Sequence, residues 1–186
     1  MDQAVREARE LLEKVTPLKR DCGRICASRC CRPLEGEETG MLLFPGEEEV
    51  YRDRPDWTLR ETALGPMVLC PGRCEREERP LSCRLFPLLP CLTEDGEVRA
   101  AMDQRARAVC PLARQGKSAL DPAFIEAVRV AGTILAAEEK QAAFLRNLSR
   151  EQEELLALRR RWNRARTAGA SASRTAHGML KGEKDV

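Results

Sequence analysis

The 186-residue chain sets 32 Lys and Arg against 30 Asp and Glu, and a net charge of +2 excludes both a general polyanion binder and an acidic solvating tail. Aromatic residues make up 4% of the chain, few rings for stacking nucleobases, and no run approaches the 18 apolar residues of a membrane span. The length suits one small domain with an appended helical segment.

Residues 2–15 place Val5, Ala8, Leu11, Leu12 and Val15 at helical spacing, and Pro17 ends the pattern. Asp21 is positioned to cap a short helix carrying Cys22, Cys26 and Cys30. From Pro33 to Cys70 the pattern is irregular, with short strands expected at Met41 to Phe44 and Pro66 to Leu69 and with Trp57 and Leu59 as packing residues. The acidic run at Glu47, Glu48 and Glu49 reads as a solvated loop. Pro71, Pro80, Pro87 and Pro90 forbid a long helix between Cys70 and Cys91. Glu94, Asp95 and Gly96 signal a turn, followed by a strand at Val98 to Met102.

Beyond residue 112 the pattern is helical. Asp121 and Pro122 form a cap and first-turn pair opening a helix through Phe124, Val128, Ala131 and Leu135, which continues through Ala142, Leu145 and Leu148. Ser149 with Gln152 reads as a capping box starting a last helix, with Leu155, Leu158 and Trp162 on one stripe. Residues 167–186 read as a disordered tail. The expected fold is a small α+β protein: an irregular, metal-stapled cysteine-rich domain with short strands over 1–112, then a helical segment over 113–166 packing on it.

Nine cysteines carry the chemistry: Cys22, Cys26, Cys30, Cys31, Cys70, Cys74, Cys83, Cys91 and Cys110. The N-terminus lacks the basic start and apolar run of a signal peptide, so a cytoplasmic location with reduced thiols is expected. An odd count also fits poorly with a fully paired disulfide framework. Cys22, Cys26 and Cys30, four residues apart, would form a row on one helix face. The Cys70 to Cys74 gap falls in the range of metal-binding knuckles. All nine are candidate metal ligands. The single histidine, His177, lies in the tail, so the donors are thiolates, a set that suits zinc and iron–sulfur clusters equally. Nine cysteines allow two four-ligand sites with one left over, or one site with several structural thiols. Arg73, Arg76, Arg79 and Arg84 lie among them; they either offset thiolate charge or pair with Glu75, Glu77 and Glu78.

The run CGRICASRCC, followed by RPLSCRLFP, resembles the YkgJ-type cysteine-cluster family, described as a zinc- or iron-chelating domain. The matching positions are Cys22, Cys26, Cys30 and Cys31, then Cys74, then Arg79, Pro80, Cys83, Arg84, Phe86 and Pro87, within residues 20–112. The resemblance implies a chelated metal, and through a branch similar to flagellin lysine N-methylases it implies a link to enzymatic chemistry.

The expected function is therefore a metal-binding protein holding zinc or an iron–sulfur cluster. Alternatives are a cluster-dependent enzyme of methyl transfer or redox chemistry, and a protein-interaction module using the C-terminal helices. Arg159, Arg160, Arg161, Arg164 and Arg166 near the chain's end read as a solvated helix face, so a protein partner is expected before a nucleic acid, and no membrane. With no histidine in the folded part, Ser–His and Cys–His nucleophile pairs are ruled out.

Overall fold

In the computed structural model residues 1–32, 40–72 and 74–179 are described, with side chains as far as residue 166. Residue Arg73, the stretch 33–39 and the side chain of His177 lie outside them. The chain divides into two units, Met1–Arg150 and Glu151–Val186.

Asp2 opens helix α1 (Gln3–Leu11) by accepting hydrogen bonds from the backbone N–H groups of Ala4 and Val5. The helix stops earlier than the apolar spacing predicts. The carbonyls that follow Leu11 are left outside the helix and need partners, and Arg76 supplies them. Its guanidinium donates to the carbonyls of Leu12 at 2.6 Å, Val15 at 2.8 Å, and Glu13. The chain can therefore leave the helix at Leu12 without orphaning these groups.

Three short strands follow: β1 (Gly40–Leu42), β2 (Thr58–Thr62) and β3 (Gly65–Leu69). They form an antiparallel sheet in the order β1-β3-β2, with Met41 opposite Val68 and Leu59 opposite Val68 on the other side. Leu43, Tyr51, Trp57 and Val68 form a small buried cluster against which Leu59, Cys70 and Cys74 pack. The strands expected near 41–44 and 66–69 are present; β2, rich in polar residues, has no apolar alternation to announce it.

Helix α3 (Leu81–Leu85) is one turn long, as the flanking prolines require. Strands β4 (Leu88–Leu92) and β5 (Val98–Met102) then make a hairpin closed by Thr93 and Glu97. Two short helices, α4 (Ala106–Val109) and α5 (Pro111–Gln115), lead to α6 (Pro122–Ala136), capped by Asp121 as expected. Helix α6 packs on α1 and the β4–β5 hairpin. The approach is close: a Cβ on Gly132 would stand 2.5 Å from Pro90 Cβ and 2.6 Å from Val98 Cγ1.

The main core draws on both halves of the sequence, including Val5, Ala8, Leu12, Leu81, Leu85, Leu88, Phe124, Val128, Leu135, Leu145 and Leu148. Front and back of the Met1–Arg150 unit thus share one apolar core. The fold is small and α+β, with short antiparallel strands and C-terminal helices.

Two expectations are corrected here. Ser149 does not cap a new helix, because α7 (Glu139–Met179) runs through it. The Ser149 hydroxyl instead donates to Leu145 O and accepts from Leu92 N, both at 2.8 Å, so its polarity is used to tie the helix to β4. Glu47 is not solvated; it is fully buried and paired with Arg9 at 2.6 Å. It also accepts from Leu81 N at 2.7 Å and Phe44 N at 3.3 Å, which compensates its burial.

In the second unit, α7 continues as helical backbone through 167–179, residues read from sequence as a disordered tail; residues 180–186 lie outside the described residues. Leu158 and Trp162 are exposed, one turn apart. Among the described residues no helix is long and apolar enough to cross a membrane.

Candidate metal centre

The first cysteine run folds as a tight reversal. Asp21 Oδ1 accepts from Gly23 N at 2.9 Å and starts α2 (Gly23–Cys26), which lasts a single turn. Ala27 and Ser28 then adopt the left-handed region, at φ of 51° and 55°, and Ser28 N closes on Gly23 O at 2.9 Å. A 3₁₀ turn over Arg29–Cys31 follows. The expected row of Cys22, Cys26 and Cys30 on one helix therefore does not form, because two left-handed residues break the helix between the second and third cysteine. The reversal nevertheless returns Cys30 to the same place. Cys22, Cys26 and Cys30 line a cavity of about 30 Å³, joined by Cys110 at the start of α5 and walled by Phe86 and Pro87.

A larger cleft of about 390 Å³ adjoins it, lined by Cys31, Cys70, Cys74 and Cys83 and also by Cys30, which the two cavities share. Cys70 follows the last residue of β3, and Cys74 follows a Pro71–Gly72 turn. Gly72 has φ of 80°, and a Cβ there would stand 3.1 Å from Cys31 O, so Gly72 runs close against the Cys31 backbone. Cys83 is presented by α3, its N–H bonded to Pro80 O at 2.9 Å. The Sγ atoms of Cys30 and Cys31 are 3.9 Å apart where the two cavities meet.

None of the nine cysteines is in a disulfide. Among the described residues no three Cys, His, Asp or Glu side chains are drawn together into a closed metal-holding group. The thiols share two cavities without forming a finished cage, and closing one would take side-chain rotation toward a common centre.

The two cavities differ electrically. Burial raises the Cys22 thiol pKa, and the nearby Asp21 carboxylate raises it further. In the larger cleft the Arg79 guanidinium lies beside Cys74 and acts also on Cys31 and Cys83. Cys31 is lowered to about 6 because the Cys30 thiol hydrogen-bonds to it, with Arg79 adding to the effect. The Cys30 thiol is raised, since a second proton cannot leave easily beside a first thiolate. Cys83 and Cys74 are raised by burial, which Arg79 opposes at Cys74.

Of the four arginines named from sequence, Arg73 is outside the described residues, and Arg79 lies against thiols. Arg76 holds the end of α1 as described. Arg84 forms an ion pair with Glu13 and donates to the carbonyls of Arg9 and Glu77, each at 3.0 Å. Both have structural work that neither sequence expectation foresaw. Cys91 is apart from the other eight: it lies on β4 opposite Arg99, at the edge of the main core, and lines neither cavity. Gly72 went unnoticed in the sequence, although a Pro–Gly pair between two cysteines is a turn signal.

Compared with known proteins, the chain matches no family model, no curated protein and no solved structure.

Proposed function

We propose that the chain is a metal-binding protein whose clustered cysteines hold zinc or an iron–sulfur cluster. One observation carries this reading. Eight of nine thiols, from segments as distant as Cys22 and Cys110, line two adjoining cavities. Burying thiols merely as small apolar groups gives no reason for eight to converge while the ninth stays on a strand. The donor set suits the ligand: thiolates, with no histidine among the described side chains, favour zinc or iron–sulfur centres over hard cations. Arg79 beside Cys31, Cys74 and Cys83 supplies a charge that offsets thiolates there. The motif resemblance to YkgJ-type cysteine-cluster proteins supports the same reading. The residues that would hold the metal are Cys22, Cys26, Cys30, Cys31, Cys70, Cys74, Cys83 and Cys110, and a bound centre would supply structural cross-linking or electron storage.

Elemental analysis of the full chain, purified without oxygen, tests the proposal. Zinc, or iron with sulfide, at stoichiometric levels per chain is expected. Metal at background in both zinc- and iron-supplemented preparations would sink it.

A further inference from the structure

We infer that the eight clustered cysteines divide at the Cys30–Cys31 peptide bond into two four-thiol centres, Cys22, Cys26, Cys30 and Cys110 in one, Cys31, Cys70, Cys74 and Cys83 in the other. This rests on the metal-binding reading above and adds to it the number of centres and the ligands of each.

Three observations separate the groups. Cys22, Cys26 and Cys110 line only the smaller cavity, while Cys31, Cys70, Cys74 and Cys83 line only the larger. Next, Cys30 and Cys31 sit in a 3₁₀ turn, where successive Cβ atoms are about 120° apart around the axis, so the two thiols, 3.9 Å apart, can be drawn to opposite sides. Cys30 lines both cavities, Cys31 only the larger, so Cys30 is the thiol available to complete the smaller group. Last, Gly72 lies close to the Cys31 backbone, and Arg79 lies beside Cys74 and acts on Cys31 and Cys83, whereas Asp21 neighbours Cys22. Phe86 and Val109 line both cavities, where the two groups adjoin.

Each group has the four thiols that an all-cysteine zinc or iron–sulfur centre takes. The assignment gives Cys110 a role despite its distance in sequence from the other cysteines, and it leaves Cys91 out. The Cys30 and Cys31 sulfurs, 3.9 Å apart, make the two centres direct neighbours.

The test is metal content per chain, with the metal identified in the wild-type protein, for Cys110→Ser, Cys83→Ser, the Cys110→Ser/Cys83→Ser pair and Cys91→Ser. Because a buried serine can disturb folding, Cys26→Ser and Cys70→Ser report on the same two groups from less buried positions, with circular dichroism confirming the fold. Each single variant in a group is expected to lose half the wild-type metal, a twofold fall. The double variant should lose nearly all of it, and Cys91→Ser none. A folded Cys26→Ser or Cys70→Ser chain that loses all its metal would overturn the division in favour of one shared centre. Full retention in Cys110→Ser, or loss in Cys91→Ser, would overturn the ligand assignment. A wild-type chain without metal would instead refute the metal-binding reading itself.

Discussion

Replacing Arg9 by Met should destabilise the fold severely, because it strands a buried carboxylate. The side chains of Arg9 and Glu47 are 9% and 0% exposed and meet at 2.6 Å. Removing one partner of a buried pair costs about 3–5 kcal/mol, since the other charge stays behind without compensation. Here the lower end applies. Glu47 keeps two backbone donors, Leu81 N and Phe44 N, and Glu77 O keeps Arg84 after losing its 2.9 Å bond from Arg9. A loss of about 3 kcal/mol is a large share of the ~5–15 kcal/mol that stabilises a typical domain. Urea unfolding followed by circular dichroism measures it. The pH dependence provides a second check. Burial raises the Glu47 carboxyl pKa above the ordinary range, with Leu81 N, Arg9 and Phe44 N opposing. A carboxyl with a raised folded pKa contributes fully below its unfolded value and loses that contribution as pH rises through the folded one. Without Arg9 the folded value rises further, so the deficit should be largest at neutral pH and narrow as pH falls toward 5. A loss under about 1 kcal/mol, unchanged between pH 7 and 5, would refute the reasoning.

Gly132→Ala should destabilise by about 1–2 kcal/mol, because overpacking against Pro90 and Val98 outweighs the ~1 kcal/mol of helix propensity gained; thermal unfolding reads it, and a rise in Tm contradicts it. Gly72→Ala should cost about 1–2 kcal/mol for a left-handed residue with a side chain, and should also lower metal retention, since the added Cβ pushes on Cys31 O. Arg79→Gln should raise the Cys31 thiol from about 6 in the metal-free chain; thiolate absorbance against pH would show the titration moving up, and an unmoved curve would place the guanidinium's influence elsewhere.

Much of the architecture was legible because it follows from local chemistry. Asp121–Pro122 announces α6, and Glu94 to Gly96 with the following apolar run announces the β4–β5 hairpin. What sequence could not supply were the contacts made across long separations. Apolar spacing extends α1 to Val15, but Arg76, more than sixty residues on, takes the carbonyls of the residues after Leu11 and lets the chain turn sooner. Ser149 carries a capping signature, yet its hydroxyl serves Leu92 in mid-helix. The cysteines divide in the same way. Their spacing suggests a helical row, but Ala27 and Ser28, neither a usual left-handed residue, break it. The arrival of Cys110 beside Cys22 depends on the whole core between them.

The most direct test of metal ligation is rapid alkylation of the native chain, purified without oxygen, before and after its metal is stripped, with each cysteine read by mass spectrometry. Cys30 is exposed, so its protection cannot come from burial. Cys22, Cys26, Cys30, Cys31, Cys70, Cys74, Cys83 and Cys110 should react slowly before stripping and rapidly after it, with Cys91 unchanged. The same pattern of reactivity in both states would contradict metal ligation by these thiols.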